Sequence, residues 1–92
     1  MAHFVVSYVY SAPESDLAPL RAEHRDYLAE LEELVIAGPA DQGRGGLLVL
    51  RADTVEQVEA LVAADPFVTA GFVGERIIRD WKPVLGPLLE HV

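Results

Sequence analysis

The chain contains no cysteine, which excludes disulfide bridges, thiolate nucleophiles and cysteine-based metal sites. Basic residues are also scarce. Seven Lys and Arg residues stand against 15 Asp and Glu residues, for a formal net charge of −8. Because a nucleic-acid interface needs a basic face, nucleic acid is not an expected partner. We interpret the acidic excess as a contribution to solubility.

Long apolar runs are missing as well, so no membrane-spanning segment is predicted. Residues 1–10 lack the basic start of a signal peptide and have the composition of a strand. We therefore expect a cytoplasmic protein that has no membrane partner.

Hydrophobic residues make up 51% of the 92 positions, which is enough apolar side chain for one core and too little chain for two. The sequence predicts a single domain over residues 1–92. Its core is expected to extend from about residue 3 to 83, with a C-terminal tail over 84–92.

The first half of the chain shows a strand pattern followed by a helix pattern. Residues 3–10 are rich in β-branched and aromatic side chains and predict a strand. Helical spacing then continues from Glu14 to about Val35, and Pro19 suggests that the regular helix begins near Leu17. The apolar positions of this helix are Leu17, Leu20, Tyr27, Leu28, Leu31 and Val35.

The rest of the chain predicts two short strands, a second helix and a final strand. The short strands are expected at 34–37 and 47–50, joined by a flexible connection at 41–46. The second helix follows Thr54, where Thr at the cap and Gln three residues later form a capping box. Asp65-Pro66 ends that helix, and residues 72–82 form the last strand.

The resulting order β-α-β-β-α-β predicts an α+β, ferredoxin-like fold, in which a four-stranded antiparallel sheet carries both helices on one face. The first and third strands are apolar on both sides, although an antiparallel sheet with one wet face should alternate. We therefore expect a second copy of the chain to cover the other face in a two-fold homodimer. The tail is too short to cover four strands.

His24 is the most informative position for function. At 100° per residue it lies near the middle of the apolar stripe of the first helix, so the imidazole should point at the sheet. A buried imidazole needs a hydrogen-bond partner. One interpretation is a core histidine that is bonded to a backbone carbonyl, and the other is a functional pair with a carboxylate.

Asp65 is the candidate partner because it follows the second helix and leads towards the last strand. Asp before Pro is also the pattern of an N-cap with proline at the first helical position. The two roles are compatible, since one oxygen can cap while the other accepts from His24.

Other candidate residues are weaker. Ser7 is a lone hydroxyl in the first strand, and Trp81 could form a pocket wall or anchor a dimer face. The glycines at 43–46 lack the Gly-Lys-Ser/Thr pattern of a phosphate loop. The histidines at 3, 24 and 91 lack metal-ligand spacing. We predict no metal and no cofactor.

Several motifs together resemble the YCII-related domain family. They are His24, Ala37-Gly38-Pro39, the stretch DPFVTAG at 65–71, and Trp81 near the end of the last strand. The resemblance extends from about residue 3 to 83 and implies a dimeric α+β barrel with a pocket between helices and sheet. It implies that His24 and Asp65 are a catalytic pair, and we assign Ser7, Pro39 and Phe67 to the substrate pocket. The short, glycine-rich hairpin loop departs from the family pattern.

The resemblance implies a cofactor-free enzyme of isomerase, lyase or dehalogenase type. His24 would be the general acid or base and Asp65 would orient it, on a small substrate with a lactone or carbonyl group. The alternative is a non-catalytic dimeric module that binds a small ligand or accompanies another protein. Antibiotic-type monooxygenases share the barrel and are a third possibility.

Overall fold

The computed structural model describes all 92 residues. The strands are β1 (Ala2–Tyr10), β2 (Leu34–Ala40), β3 (Gly45–Ala52) and β4 (Val73–Trp81). The α-helices are α1 (Glu14–Leu17), α2 (Arg21–Ala29), α3 (Val55–Ala63) and α4 (Pro66–Thr69). Single 3-10 turns occupy Ala18–Leu20, Asp41–Gly43 and Leu89–His91.

The four strands form one sheet in the order β2-β3-β1-β4, and all neighbouring strands are antiparallel. This is the predicted α+β, ferredoxin-like topology, and the prediction is confirmed. Strand β2 lies at an edge of the sheet, where Pro39 is tolerated because an edge strand needs no backbone donor on its outer side.

The core lies between the helices and one face of the sheet, called the inner face here. Alternate residues of β1 point to it, so Phe4, Val6 and Tyr8 are buried. Leu28 of α2 and Val58 of α3 belong to the same buried cluster. Both helices therefore cover the same side of the sheet. The capping box of Thr54 and Gln57 begins α3, as the sequence predicts.

The outer face of the sheet carries the other half of each strand. By the cross-strand register its apolar members are Val5, Val9, Ile36, Leu47, Val49, Ile77 and Trp81. Several of these are substantially exposed, and the side chain of Ile36 is 63% accessible. The C-terminal residues Leu89 and Val92 lie only beside the corner of this face formed by His3 and Trp81.

The predicted helix over Glu14–Val35 is wrong at its C-terminal end and too regular at its start. Pro19 lies in a 3-10 turn that separates α1 from α2, because proline cannot donate the backbone bond that a continuous helix requires. Helix α2 ends at Ala29, and a turn closes with the Leu31 N–H donating to the Leu28 carbonyl. Val35 belongs to β2.

The connection at 41–46 is more structured than a flexible loop. Asp41 and Gln42 adopt positive φ angles of 53° and 58° in a 3-10 turn, and β3 already begins at Gly45. A Cβ at Gly45 would lie 2.3 Å from the carbonyl oxygen of Tyr8. Glycine at this position therefore allows β3 to approach β1 closely.

Candidate active site

An open cleft of about 1410 Å³ lies beside the inner face of the sheet, bordered by α1, α2 and the β2–β3 connection. Its apolar wall includes Leu17, Leu28, Leu48 and Phe67. His24 also lines it. A concave, mostly apolar site that contains a titratable group has the character of a small-molecule pocket.

His24 points from α2 towards the sheet, as the helical spacing predicts, and the residue is only 9% exposed. Its Nδ1 atom lies 2.7 Å from Oδ1 of Asp65. The only buried side-chain nitrogen or oxygen without a hydrogen-bond partner is Nε2 of His3. Nε2 of His24 also makes no hydrogen bond within the chain but is not among the buried atoms, so it is accessible, and His24 lines the cleft. A base held at one nitrogen presents its other nitrogen to a ligand.

Asp65 is completely buried, at 0% exposure. Its Oδ1 accepts from the backbone N–H of Phe67 at 3.0 Å, and its Oδ2 accepts from the Tyr8 hydroxyl at 3.0 Å. It is therefore both the N-cap of α4 and the partner of His24. The cap and the histidine share one oxygen instead of dividing the two, because Tyr8 takes the second. With these donors the buried carboxylate is satisfied.

Phe67 fixes the plane of the imidazole. The two rings stack with centroids 4.0 Å apart and an interplanar angle of 6°. Tyr10 meets the Phe67 ring edge-on, at 5.4 Å and 83°. The His24 ring is thus held by a hydrogen bond at one nitrogen and by an aromatic face, which leaves little freedom for rotation.

Tyr8 is a site residue that the sequence reasoning missed. Burial is the main cause that raises the pKa of its phenol above the ordinary value, and the charge of Asp65 raises it further. Tyr8 is thereby kept as a neutral donor to the carboxylate. Its only sequence signal is a hydroxyl-bearing aromatic residue at an alternate position of the first strand.

The other predicted pocket residues divide between the two sides of the sheet. Pro39 and Phe67 line the cleft with His24. Ser7 is not among the residues that line the cleft, and the cross-strand register places it beside Leu47 and Ile77, on the side of β1 opposite to Tyr8. Its assignment to this pocket is wrong. Trp81 also lies on the outer face and packs edge-on against His3, with centroids 6.4 Å apart.

Two further searches of the structure concern metals and membranes. No group of three or more His, Asp or Glu side chains converges in a way that could hold a metal ion. None of the helices has the length and apolar character needed to cross a bilayer.

The fold and site define a ferredoxin-like α+β protein with a buried aspartate behind a histidine that faces a cleft. The YCII-related domain family matches residues 1–82. The chain belongs to this family, so the resemblance inferred from the sequence motifs is confirmed.

One relative in the family comparison is an uncharacterised protein, YjpA, of Bacillus subtilis strain 168. It is 34% identical over 64 residues, which are 66% of this chain and 74% of YjpA.

Solved structures share the fold. The 5-chloro-2-hydroxyhydroquinone dehydrochlorinase TftG of Burkholderia phenoliruptrix AC1100, in complex with 2,5-dihydroxybenzoquinone, superimposes with a TM-score of 0.77 at 24% identity over 87% of this chain and 93% of that one. A NIPSNAP family protein of Agrobacterium tumefaciens C58 has a TM-score of 0.60 at 16% identity, over 94% and 96% of the two chains. At these identities the likeness establishes the fold alone.

Proposed function

We propose that the protein is an enzyme that transfers a proton on a small organic substrate carrying a carbonyl, enol or lactone group. The observation that carries this proposal is the orientation of His24. Nδ1 of its ring is bound to the fully buried Asp65, while Nε2 faces the cleft. Such an arrangement is typical of a general acid or base whose ring is oriented by a carboxylate.

In the proposed reaction, Nε2 of His24 removes a proton from a carbon next to a carbonyl. The electron pair of the broken C–H bond moves into the enolate, and the imidazole becomes an imidazolium. Asp65 stabilises that positive charge at Nδ1, while Tyr8 and the N–H of Phe67 hold the carboxylate in place. The imidazolium then returns the proton to another atom of the same substrate or to a leaving group.

The name and ligand of the dehydrochlorinase suggest a first substrate class. That protein acts on a chlorinated hydroxyhydroquinone and was solved with a dihydroxybenzoquinone. In a hydroxylated quinone-type ring, the carbon between the carbonyl and the enol can take up a proton to become a CH2 group, from which His24 can remove either proton to re-form the enolate. The apolar walls of the present cleft suit a planar ring. The proposal needs no cofactor, since histidine alone carries the proton.

Hydrogen–deuterium exchange tests this function without a known natural substrate. The ring C–H of 2,5-dihydroxybenzoquinone, or the C–H beside the carbonyl of an unsaturated lactone, is followed by NMR in D2O with catalytic amounts of protein. We expect wild type to accelerate exchange and His24→Gln to remove about 10²–10⁴-fold of the acceleration. His91→Gln, at an exposed site in the tail, is the matched control.

Exchange that is equally fast with wild type and His24→Gln would contradict the proposal. The alternative function, a module that binds a small ligand without catalysing a reaction, would then be preferred. The same conclusion would follow if wild type and His24→Gln bound the probe equally well and neither accelerated exchange.

We also propose that two copies of the chain pack through the outer faces of their sheets. Apolar side chains occupy this face, several of them exposed, and the charged residues Arg51, Arg79 and Glu75 lie on it beside them. A patch of this kind is typical of a protein interface. A two-fold arrangement buries the same surface on both copies.

A further inference from the structure

The charges of the cleft differ from those of the whole chain. Overall, acidic residues outnumber basic ones by 15 to seven. The cleft is nevertheless lined by Arg21, Arg25 and Arg44, with Glu14 as the single acidic side chain among its lining residues. Asp65 lies behind His24 and is fully buried. In an acidic protein, cations gathered around one cleft favour an anionic ligand there.

Arg21 lies one helical turn before His24, so both side chains are on the cleft side of α2. The Arg21 side chain is 32% exposed and its Nη2 atom contacts both carboxylate oxygens of Glu14, at 2.6 and 2.7 Å. Burial and the charge of Asp65 raise the pKa of Tyr10, a residue of the cleft wall, and the charge of Arg21 partly offsets this rise. The charge of Arg21 therefore acts within the cleft. Arg21 already binds a carboxylate at the edge of the cleft.

Arg44 lies on the other wall of the cleft, at the start of β3. Its Nε donates to the carbonyl oxygen of Asp41 at 3.2 Å, within the turn whose three residues all have positive φ angles. The two terminal nitrogens of the guanidinium make no hydrogen bond to the protein. They remain available to an anion, for which the planar guanidinium group is well suited.

Between these arginines the cleft is apolar, with Leu17, Leu28, Leu48 and Phe67 in its wall. This combination favours a ligand with a flat or compact apolar body and an acidic group at one end. The apolar body would lie towards His24 and Phe67, and the acidic group would point to the arginines.

We infer that the cleft binds small organic anions whose carboxylate, or similarly acidic oxygen, is held by Arg21 and Arg44. Glu14 occupies Arg21 in the free protein and is displaced when such a ligand binds. This inference rests on the proposed function only for the position of the reacting carbon at His24. It adds the charge of the substrate and the residues that recognise it.

A pair of probes that differ in charge tests the inference by binding alone. 2-Hydroxybenzoate and its neutral amide, 2-hydroxybenzamide, are titrated against the full chain labelled with ¹⁵N, and dissociation constants are taken from amide shifts around the cleft. We expect wild type to bind the carboxylate about tenfold more tightly than the amide. Arg21→Gln and Arg44→Gln should each reduce this preference several-fold.

Glu14→Gln should strengthen binding of 2-hydroxybenzoate, since it removes the competing carboxylate, and leave binding of the amide unchanged. Arg51→Gln makes the same charge change on the outer face of the sheet and is the control for a general field effect. Folding of every variant is checked from the dispersion of the same spectra.

Equal affinity for the two probes, or no binding of either at millimolar concentration, would overturn the inference. An effect of Arg51→Gln as large as that of Arg21→Gln would also overturn it, because net charge would then explain the preference. If Glu14→Gln bound the carboxylate no more tightly, displacement of Glu14 would be wrong. These measurements need no turnover, so they succeed or fail separately from the exchange experiment on His24.

Discussion

At the scale of single residues, Asp65 is the group on which the site depends. Its two oxygens accept three hydrogen bonds in a place without solvent. Asp65→Asn leaves one acceptor oxygen and introduces an amide that is itself a donor, so one of the three donors loses its partner. We expect a loss of about 1–3 kcal/mol in the free energy of unfolding, measured in urea.

The same substitution should change the protonation pattern of the His24 ring. In wild type, the Asp65 oxygen 2.7 Å from Nδ1 favours the tautomer whose proton is on Nδ1. Long-range ¹H–¹⁵N NMR of the ring nitrogens should show this tautomer, and a mixture of tautomers in Asp65→Asn. Asp26→Asn, on the exposed side of α2, is the control and should change stability by less than about 0.5 kcal/mol. An unchanged tautomer in Asp65→Asn would show that the ring is not positioned by this carboxylate.

The three tyrosines should make the folding stability of the protein depend on pH in the alkaline range. All three have raised pKa values, with burial as the first cause and the charge of Asp65 as the second. The unfolded chain releases its phenolic protons near pH 10, whereas the folded chain retains them. The folded state then binds more protons, so the tyrosine contribution to stability is constant below about pH 10 and falls as the pH rises above it.

Ultraviolet absorbance of tyrosinate measures this directly. We expect the native protein to form little tyrosinate at a pH where the urea-unfolded chain is half ionised. Tyr8→Phe should reduce the slope of stability against pH above 10, because its phenol lies closest to Asp65. Native and unfolded protein that titrate together would refute the prediction.

The first strand shows why the sequence alone does not identify Tyr8, instead of Ser7, as a residue of the site. Both faces of this strand are largely apolar, so the alternating pattern cannot tell which face meets the helices. A choice of the other face exchanges every inward residue for an outward one. Ser7 is proposed as a pocket residue only because it is the lone small hydroxyl of the strand, and this signal does not reveal that Tyr8 carries the inward-facing hydroxyl. His24 could be placed because the helix pattern has one polar and one apolar side. Its pairing with Asp65 is predicted from the place of Asp65 after the second helix and from the family resemblance, because a separation of 41 residues gives no local signal.

At the scale of elements, the sequence predicts the order of strands and helices well and the end of the first helical region poorly. The signals that succeeded are local, such as the capping box at Thr54 and the Asp65-Pro66 helix start. The helix end at Ala29 has no glycine or proline to mark it. Leu31 and Val35 continue the helical spacing, but pairing of β2 with β3 is the more favourable use of residues 34–40.

Two glycines of this hairpin provide an element-scale prediction. At Gly45 a Cβ would lie 2.3 Å from the Tyr8 carbonyl oxygen, whereas at Gly38 nothing lies within 4 Å. Gly45→Ala must move β3 away from β1, and we expect a loss of about 1–3 kcal/mol in stability. Gly38→Ala, in the paired strand, is the matched control and should be neutral or slightly stabilising. Urea unfolding distinguishes them, and equal effects of the two substitutions would contradict the proposed close approach.

At the scale of the whole molecule, one side of the sheet is a core and the other is an exposed apolar surface. A single chain has no layer to cover this outer face, and the C-terminal residues lie only beside one corner. A charge inside a buried interface is costly. Ile36→Asp should therefore convert the proposed dimer to a monomer, while Ile36 is exposed enough in one chain that the fold should be kept.

Light scattering coupled to size-exclusion chromatography measures the mass of both proteins. We expect wild type at micromolar concentration to have twice the mass of one chain, and Ile36→Asp to have the mass of one. Leu85→Asp introduces the same charge at a residue that is 93% exposed and lies outside the sheet, so it should remain dimeric. A monomeric wild type would reject the dimer. If Leu85→Asp also dissociated, the subunits would instead meet through the C-terminal segment, because a charge there can break only an interface that includes it.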